Sequence, residues 1–436
     1  MPYRFNRRDF LKATAAATTL TVLGAGSAAA YAANEKVNVA CVGVGNQGKV
    51  NRLWLAKDGA NIVALCDIDK KAIDEAVKDH AGAKTWTDFR KMLQEQKDID
   101  GVMVSTADHT HAVISMMAIQ LGKGVCTEKP LTHSVWEARA LGEAARKYKV
   151  ATQMDNENHS VEGLHKVVEW VQAGVIGTVR EVHIWTDRPI WPQGVKQRPA
   201  SQPAPAHVDW DLWIGPAPYR DYHPGLHPFN WRGYWDFGTG ALGDMGCHFW
   251  DSAFWALKLG HPTTVEAEHE GNSNETGPKW AIVTYQFPAR GDLPPVTVKW
   301  YDGHKLPPRP EELDADRQLP TNGSMFVGDK GKILVNDAAS PRLIPESKMK
   351  DFKQPPSTIA RSLGHKIEWL NAIKGGPPAG CNFPDYGGPL AEVVLLGNLA
   401  IRVGKKLEWD GVNLKAKNAP EADQYIKREY RKGWEL

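Results

Sequence analysis

The chain has 436 residues, a formal net charge of +2 and 24% charged residues. That balance, with no long basic run, excludes a nucleic-acid-binding surface as the main function. Past the first thirty-odd residues, no apolar stretch is long enough to span a bilayer. About 400 mature residues suit two domains.

Residues 1–33 read as a targeting segment. Asn6-Arg7-Arg8-Asp9-Phe10-Leu11-Lys12 is a basic opening, an Ala/Thr/Leu/Val run extends from Ala13 to Ala30, and Ala30-Tyr31-Ala32 offers small residues for cleavage before Ala33. An uncleaved anchor is the competing reading, but the run is only weakly apolar. The paired arginines with Phe10-Leu11-Lys12 resemble a twin-arginine signal, which implies export of an already folded protein to the periplasm or beyond. No stable membrane insertion is expected after processing.

From residue 36 onward, short apolar runs alternate with helical patterns. Strands are predicted at 37–42, 61–67, 101–105, 124–127 and 149–153, and helices at 70–80, 111–121 and 134–147. Such alternation implies right-handed βαβ crossovers and a parallel sheet. The dinucleotide-binding domain is accordingly placed at 34–158. The pattern then changes. A helix at 161–172 precedes a strand at 181–185, and a proline-rich stretch from Pro189 to Pro228 is too broken for regular elements. Further strands are expected at 281–287 and 296–300, and late helices at 365–373 and 390–403. Residues 159–436 are assigned to a second domain that binds substrate and mediates oligomerisation.

Gly43-Val44-Gly45-Asn46-Gln47-Gly48 follows the first strand and opens a helix. In that context GxGxxG supplies a tight turn, a close backbone approach to a pyrophosphate, and a helix N-terminus facing its charge. Asp67 closes the second strand, where a carboxylate binds a ribose 2′-hydroxyl. It would repel a 2′-phosphate, so NAD is favoured over NADP, although Lys70 and Lys71 nearby keep NADP open.

Three later groups carry chemistry. Glu128-Lys129-Pro130 follows a strand of the same sheet, so Lys129 stands at the carboxyl edge, where ligands bind. Asp244 and His248 are spaced i, i+4 on one helical face, a pairing suited to acid/base work on an alcohol or ketone, with metal binding as the alternative. Asp108-His109-Thr110-His111 has a chelating HxH spacing but lacks a clear third ligand, so a loop over the cofactor is the better reading than a metal site. The five cysteines, Cys41, Cys66, Cys126, Cys247 and Cys381, form no CxxC pair, and the first three lie in strand-like runs as buried inert thiols. Tryptophan, with 17 copies, thickens between Trp185 and Trp255. Aromatic faces there can fill a core or stack on sugar rings.

These residues, in this order and spacing, resemble the Gfo/Idh/MocA oxidoreductase family. The carriers are Gly43–Gly48 with Asp67, Ser105–His111, Glu128-Lys129-Pro130, and Gly240 through His248. The resemblance implies an α/β chain: a Rossmann NAD(P)-binding domain followed by an α/β domain on a large, open, mostly antiparallel sheet. That sheet would mediate homodimer or homotetramer contacts. It further implies that Lys129, Asp244 and His248 form the catalytic cluster, and that Pro130 is cis. Gly43, Gly45, Asn46, Gln47, Gly48, Asp67, Thr106, His109, His111, Glu128, Lys129 and Asn156 would bind the cofactor. His159, Trp185, Trp191, Trp231 and Arg232 are candidates for the substrate pocket. The expected activity is hydride transfer at a secondary hydroxyl of a sugar, cyclitol or glycoside. The expected alternative is NAD-dependent glycoside hydrolysis or elimination through a transient keto-sugar, although the segment around Trp231-Arg232 and Trp235 lacks the motif of the family's N-acetylgalactosaminidases.

Overall fold

The computed structural model describes residues 35–336 and 341–436, so the expectations for the leader at 1–33 lie outside the described residues. Its first sheet has six parallel strands in the order β3-β2-β1-β4-β5-β6. They are β1 (Asn38–Val42), β2 (Asn61–Cys66), β3 (Lys84–Trp86), β4 (Gly101–Val104), β5 (Gly124–Glu128) and β6 (Thr152–Asp155). β4, β5 and β6 are buried along their whole length, because helices cover both faces. Strand order reverses at β1, so a crevice opens between the carboxyl ends of β1 and β4, the place where open α/β sheets bind ligands. β3 and the helix Phe89–Glu95 were not expected, because a three-residue strand shows no period. β6 begins at Thr152 rather than at 149. Lys149 takes a left-handed φ of 54° that closes the helix Val135–Tyr148, and the strand can start only after it.

The second sheet has nine strands, ordered β13-β12-β11-β7-β10-β9-β8-β14-β15. Its members are β7 (Val179–Trp185), β8 (Thr264–Glu270), β9 (Trp280–Phe287), β10 (Val296–Tyr301), β11 (Gly323–Gly328), β12 (Gly331–Asn336), β13 (Arg342–Ile344), β14 (Leu407–Asp410) and β15 (Lys415–Ala416). Every neighbouring pair is antiparallel except β7–β10. Along β9 buried and half-buried residues alternate strictly, the sign of a sheet with one fully covered face. The helices Gly240–Ala256 and Gly388–Val403 pack on that face and on each other.

Two segments tie the sheets together. The helix Gly364-capped at His365–Ile373 lies far along the chain, yet it buries Trp369 and Leu370 against Val39, Cys41 and Cys126 of the first sheet. The first sheet's core is therefore completed by residues from beyond 158. The proline-rich stretch has little regular structure, apart from the short helix Trp210–Ile214, but it is firmly held. Asp209 N–H donates to Ile68 O at 2.9 Å, and Lys70 N–H donates to His207 O at 2.8 Å. Trp210, Trp213 and Phe237 pack with Ala107 and Ile68, the residues that follow β4 and β2. All five cysteines are buried and none is in a disulfide. Among the described residues no helix is long and apolar enough to cross a membrane.

Candidate active site

The glycine fingerprint forms the turn between β1 and the helix Asn46–Lys57. Gly43 has φ +79°, and a Cβ there would stand 2.4 Å from Ser105 O. A Cβ on Gly48 would meet Gly43 O at 2.0 Å. Both positions are closed to a side chain by packing. Gly45 differs: its Cβ would meet nothing nearer than Ala72 Cβ at 3.4 Å, so its backbone faces open space. The helix has no side-chain cap and no acidic residue in its first turn, which leaves its N–H groups for an anion. Asp67 stands beside this turn, its Oδ2 accepting Val44 N–H at 2.8 Å and its Oδ1 accepting Asp69 N–H at 2.9 Å. A free helix N-terminus, an open glycine backbone and a carboxylate after β2 fit a dinucleotide.

Next to the fingerprint, at the carboxyl ends of β4, β5 and β6, is a cleft of about 300 Å³. Gln47, Thr106, Lys129, Arg232 and His248 contribute to its wall, with the acids Asp108, Glu128, Asp155 and Glu157. Lys129 follows β5, and its peptide bond to Pro130 is cis. Its ammonium donates to Asp244 Oδ1 and to Asp244 O, each at 2.9 Å. Arg232 Nη1 lies 3.0 Å from the same Oδ1. Burial alone would raise the Asp244 carboxyl, but Arg232 and Lys129 outweigh it and hold the group well below the usual range. Burial pushes the His248 imidazole down to about 3, with Lys129 adding to the effect against the pull of Asp244. His248 is therefore neutral at pH 7. Glu128 is raised to about 7 by burial and by Asp155, against Lys129 and Lys366.

Several residues singled out in the sequence lie elsewhere. His109 is fully buried, with its ring nitrogens 2.9 Å from Trp213 O and 3.3 Å from Phe237 O, so it anchors the proline-rich segment instead of facing a cofactor. His111 places its ring between Pro130 O, at 2.9 Å, and Thr106 O, at 3.1 Å, bracing the Lys129 turn from behind. Asn156 is buried beneath the cleft and donates to Cys247 O and to Asp251. His159 is not a pocket residue: it pairs with the buried Asp251 at 3.0 Å and stacks on Trp255 at 4.5 Å. Trp185 lies in the sheet core, its indole N–H donating to Pro320 O at 2.7 Å. Trp191 and Trp231 are buried, and both carry the Arg232 guanidinium over their rings, at 5.6 and 4.6 Å. They support Arg232 and leave it to face the cleft.

Other participants were missed. Asp108 accepts from Thr239 N–H at 3.1 Å and from its hydroxyl at 2.6 Å, which joins the loop after β4 to the start of the helix carrying Asp244 and His248. Asn51 donates to Ser105 Oγ at 3.0 Å and to Glu128 Oε1 at 2.9 Å. Asp155 and Glu157 follow β6, and the carboxyl-edge rule that selected Lys129 applies equally to them. Lys366 pairs with Asp155 from across the chain, and no local pattern marks it.

Residues 37–156 match the NAD-binding Rossmann fold of the GFO_IDH_MocA oxidoreductase family, and residues 158–293 match its C-terminal α/β domain. Residues 4–24 match the twin-arginine translocation signal sequence, so the leader directs export by that route. An inositol 2-dehydrogenase/D-chiro-inositol 3-dehydrogenase of Lacticaseibacillus casei is 33% identical over 155 residues, 34% of this chain and 44% of that protein. A glycosyl hydrolase family 109 protein of Stenotrophomonas maltophilia is 35% identical over 137 residues, 29% of this chain and 30% of that one. The chain thus spans about half or less of the curated relatives it matches. Among solved structures, the WlbA dehydrogenase of Bordetella pertussis, in complex with NADH and UDP-GlcNAcA, superposes with a TM-score of 0.59 at 17% identity, covering 86% of this chain and 99% of that one. An aldose-aldose oxidoreductase of Caulobacter crescentus gives 0.61 at 15% identity, covering 86% and 100%. At such identities the likeness is one of fold.

Proposed function

The chain belongs to the Gfo/Idh/MocA family of NAD-binding oxidoreductases, and from that premise we propose that it oxidises and reduces a secondary carbinol of a sugar, cyclitol or glycoside in the periplasm. The observation that carries this reading is the joining of Lys129 and Arg232, which line the cleft beside the fingerprint, to one carboxylate, Asp244. When bound, NAD supplies a nicotinamide carbon that accepts a hydride and returns it. The chain supplies the rest. Gly45, Asn46 and Gln47 would hold the pyrophosphate and Asp67 the adenosine ribose. Lys129, fixed on Asp244, would donate to the reacting hydroxyl oxygen and stabilise its developing negative charge. His248, neutral at pH 7, has a lone pair with which to take that oxygen's proton and, as a strong acid once charged, to release it again. Arg232, braced by Trp191 and Trp231, would fix the orientation of a neighbouring substrate oxygen.

The proline-rich segment supports a tightly held cofactor. Residues 204–237 build a small core on Ile68 and Ala107, so they cover the loop after β2, on the adenosine side of the crevice, and the loop after β4 beside the switch point. A protein exported after folding, with its cofactor enclosed in this way, would recycle NAD within each turnover. The internal cycle would pair oxidation of one substrate with reduction of another, or serve a redox-neutral cleavage of a glycoside. The resemblance to family 109 glycosyl hydrolases gives the second arrangement its support.

One assay tests both. Pure protein is incubated with a panel of polyols, aldoses and glycosides, while absorbance of reduced nicotinamide and released sugar are both followed. Reduced nicotinamide, or a keto product matched by reduction of a second sugar, is expected from the dehydrogenase. Sugar release with neither would move the assignment to the glycosidase, and no turnover of any carbinol substrate would overturn the proposal.

A further inference from the structure

Behind Asp155 and Glu157, two of the acids lining the cleft, lies a buried lysine that the proposed mechanism leaves unused. Lys366 is 2% exposed. Its ammonium pairs with Asp155, lies 3.4 Å from Glu157 Oε1, and donates to Asn51 Oδ1 at 3.2 Å. Asn51 carries the contact onward, its Nδ2 donating to Glu128 Oε1 at 2.9 Å. Three carboxyl groups at the ends of β5 and β6 therefore share one buried cation. Also facing Lys366 are Cys126 of β5 and, on its own helix, His365, whose Nε2 lies 3.6 Å from Asp155 Oδ1. Burial works against the ammonium, but Asp155 outweighs it, so Lys366 stays charged.

A dinucleotide in a sheet of this order lies across the switch point at β1. With its adenosine ribose at Asp67 after β2, its nicotinamide half belongs over β4, β5 and β6, where these acids lie. The oxidised nicotinamide ring is a cation and the reduced ring is neutral, so the charge beneath it discriminates between the two states. We propose that Lys366 is a positioning residue that sets this charge, and through it the preference of the protein for the oxidised over the reduced cofactor. The inference rests on the NAD reading above. By partly neutralising Glu128, Asp155 and Glu157, the lysine keeps the acidic floor from locking the cofactor in its oxidised form. A cofactor that is recycled in place has to be oxidised and reduced with comparable ease.

The test uses the mature holoprotein. It is equilibrated at pH 8.5 with an excess of NAD+ and NADH in fixed ratio, freed of unbound nucleotide, and denatured, and the bound forms are counted by mass spectrometry. Lys366→Met should raise the bound ratio of oxidised to reduced cofactor about tenfold, as expected for removing one partly screened charge at this range. Glu157→Gln should lower the ratio by a similar factor, and Lys366→Arg should leave it near wild type. Opposite shifts from the two charge-removing variants are not a consequence of general damage. Glu157 is half-exposed, so its variant carries the test if loss of the buried lysine prevents folding. An unchanged ratio in a folded Lys366→Met or in Glu157→Gln, or shifts of the same sign in both variants, overturns the proposal. Wild-type protein that retains neither nucleotide overturns the NAD reading instead.

Discussion

One ammonium, that of Lys129, donates both to the Asp244 carboxylate and to the Asp244 backbone carbonyl, each at 2.9 Å. The double contact fixes the amine from two directions and locks the end of β5 to the first turns of the helix Gly240–Ala256. Arg232 approaches the same carboxylate oxygen at 3.0 Å, so Asp244 remains paired when the lysine is lost. Lys129→Met should therefore fold and bind cofactor normally while kcat falls roughly a hundredfold to ten-thousandfold, the usual weight of a positioned proton donor. Asp244→Asn should cost more, because both cations then lose their counter-charge. Parallel measurement of turnover, bound NAD and thermal unfolding checks this. A Lys129→Met protein with wild-type kcat would remove the amine from the chemistry.

The fingerprint glycines should separate folding from binding. A Cβ on Gly48 meets a backbone oxygen at 2.0 Å, and one on Gly43 meets another at 2.4 Å, so Ala at either position should lower stability by several kcal/mol, through overpacking against backbone that cannot yield. Gly45→Ala has room, with Ala72 Cβ at 3.4 Å as its nearest neighbour. It should unfold at nearly the wild-type temperature, yet lose NAD during dialysis, because the added methyl fills the backbone cradle a pyrophosphate needs. The two readouts are a thermal melt and the mass spectrum of the retained nucleotide. If Gly45→Ala keeps its cofactor, the pyrophosphate does not sit there.

What the sequence made legible was local. β1, the glycine turn, Asp67, Lys129 and the Asp244/His248 face all lie within short windows where period and motif act together, and the structure places them around one crevice. What it hid depends on partners far along the chain. Lys366 lies 211 positions from Asp155, and nothing near either residue announces the other. His109 looked like a cofactor ligand because it follows β4, but Trp213 and Phe237 enclose it from more than a hundred positions away. Tryptophan density was ambiguous for a related reason. An indole that stacks on a ligand and one that braces a guanidinium have the same sequence signature, and Trp191 and Trp231 turn out to brace Arg232.

The segment over the adenosine side makes a kinetic prediction. His207 Nδ1 lies 2.8 Å from Asp69 Oδ1, and His227 approaches the other oxygen of that carboxylate at 3.5 Å. Asp69 is two positions from Asp67, so these contacts clasp the segment beside the expected ribose site. His207→Ala removes a partly exposed charge-assisted contact of about 1 kcal/mol. If opening of the clasp limits release, NAD should dissociate about fivefold faster while its association rate hardly changes. Stopped-flow displacement by a fluorescent analogue measures both. An unchanged dissociation rate would mean that the cofactor leaves by another route.

Asp302 offers a pH test away from the cleft. It is 3% exposed and accepts from Trp300 Nε1–H at 2.9 Å and from Ala281 N–H at 2.6 Å, with no cation paired to it among the described residues. Burial raises its carboxyl from 3.8 to about 7, against those two donors. An acid whose folded pKa exceeds its unfolded value stabilises the fold most when protonated. Its contribution is full below about pH 4 and is lost as the pH rises through about 7. The loss amounts to roughly 4 kcal/mol at most, from a shift of about three pH units. Asp302→Asn keeps the shape but cannot ionise. Subtracting its unfolding free energy from that of the wild type, at each pH between 4 and 8, cancels every other titrating group. The difference should fall steadily from about pH 4 to about pH 7, as the wild type loses its advantage, and level off above that. A difference that stays flat would show that Asp302 ionises in the fold as readily as in the unfolded chain, with the two N–H donors sufficient to hold its charge.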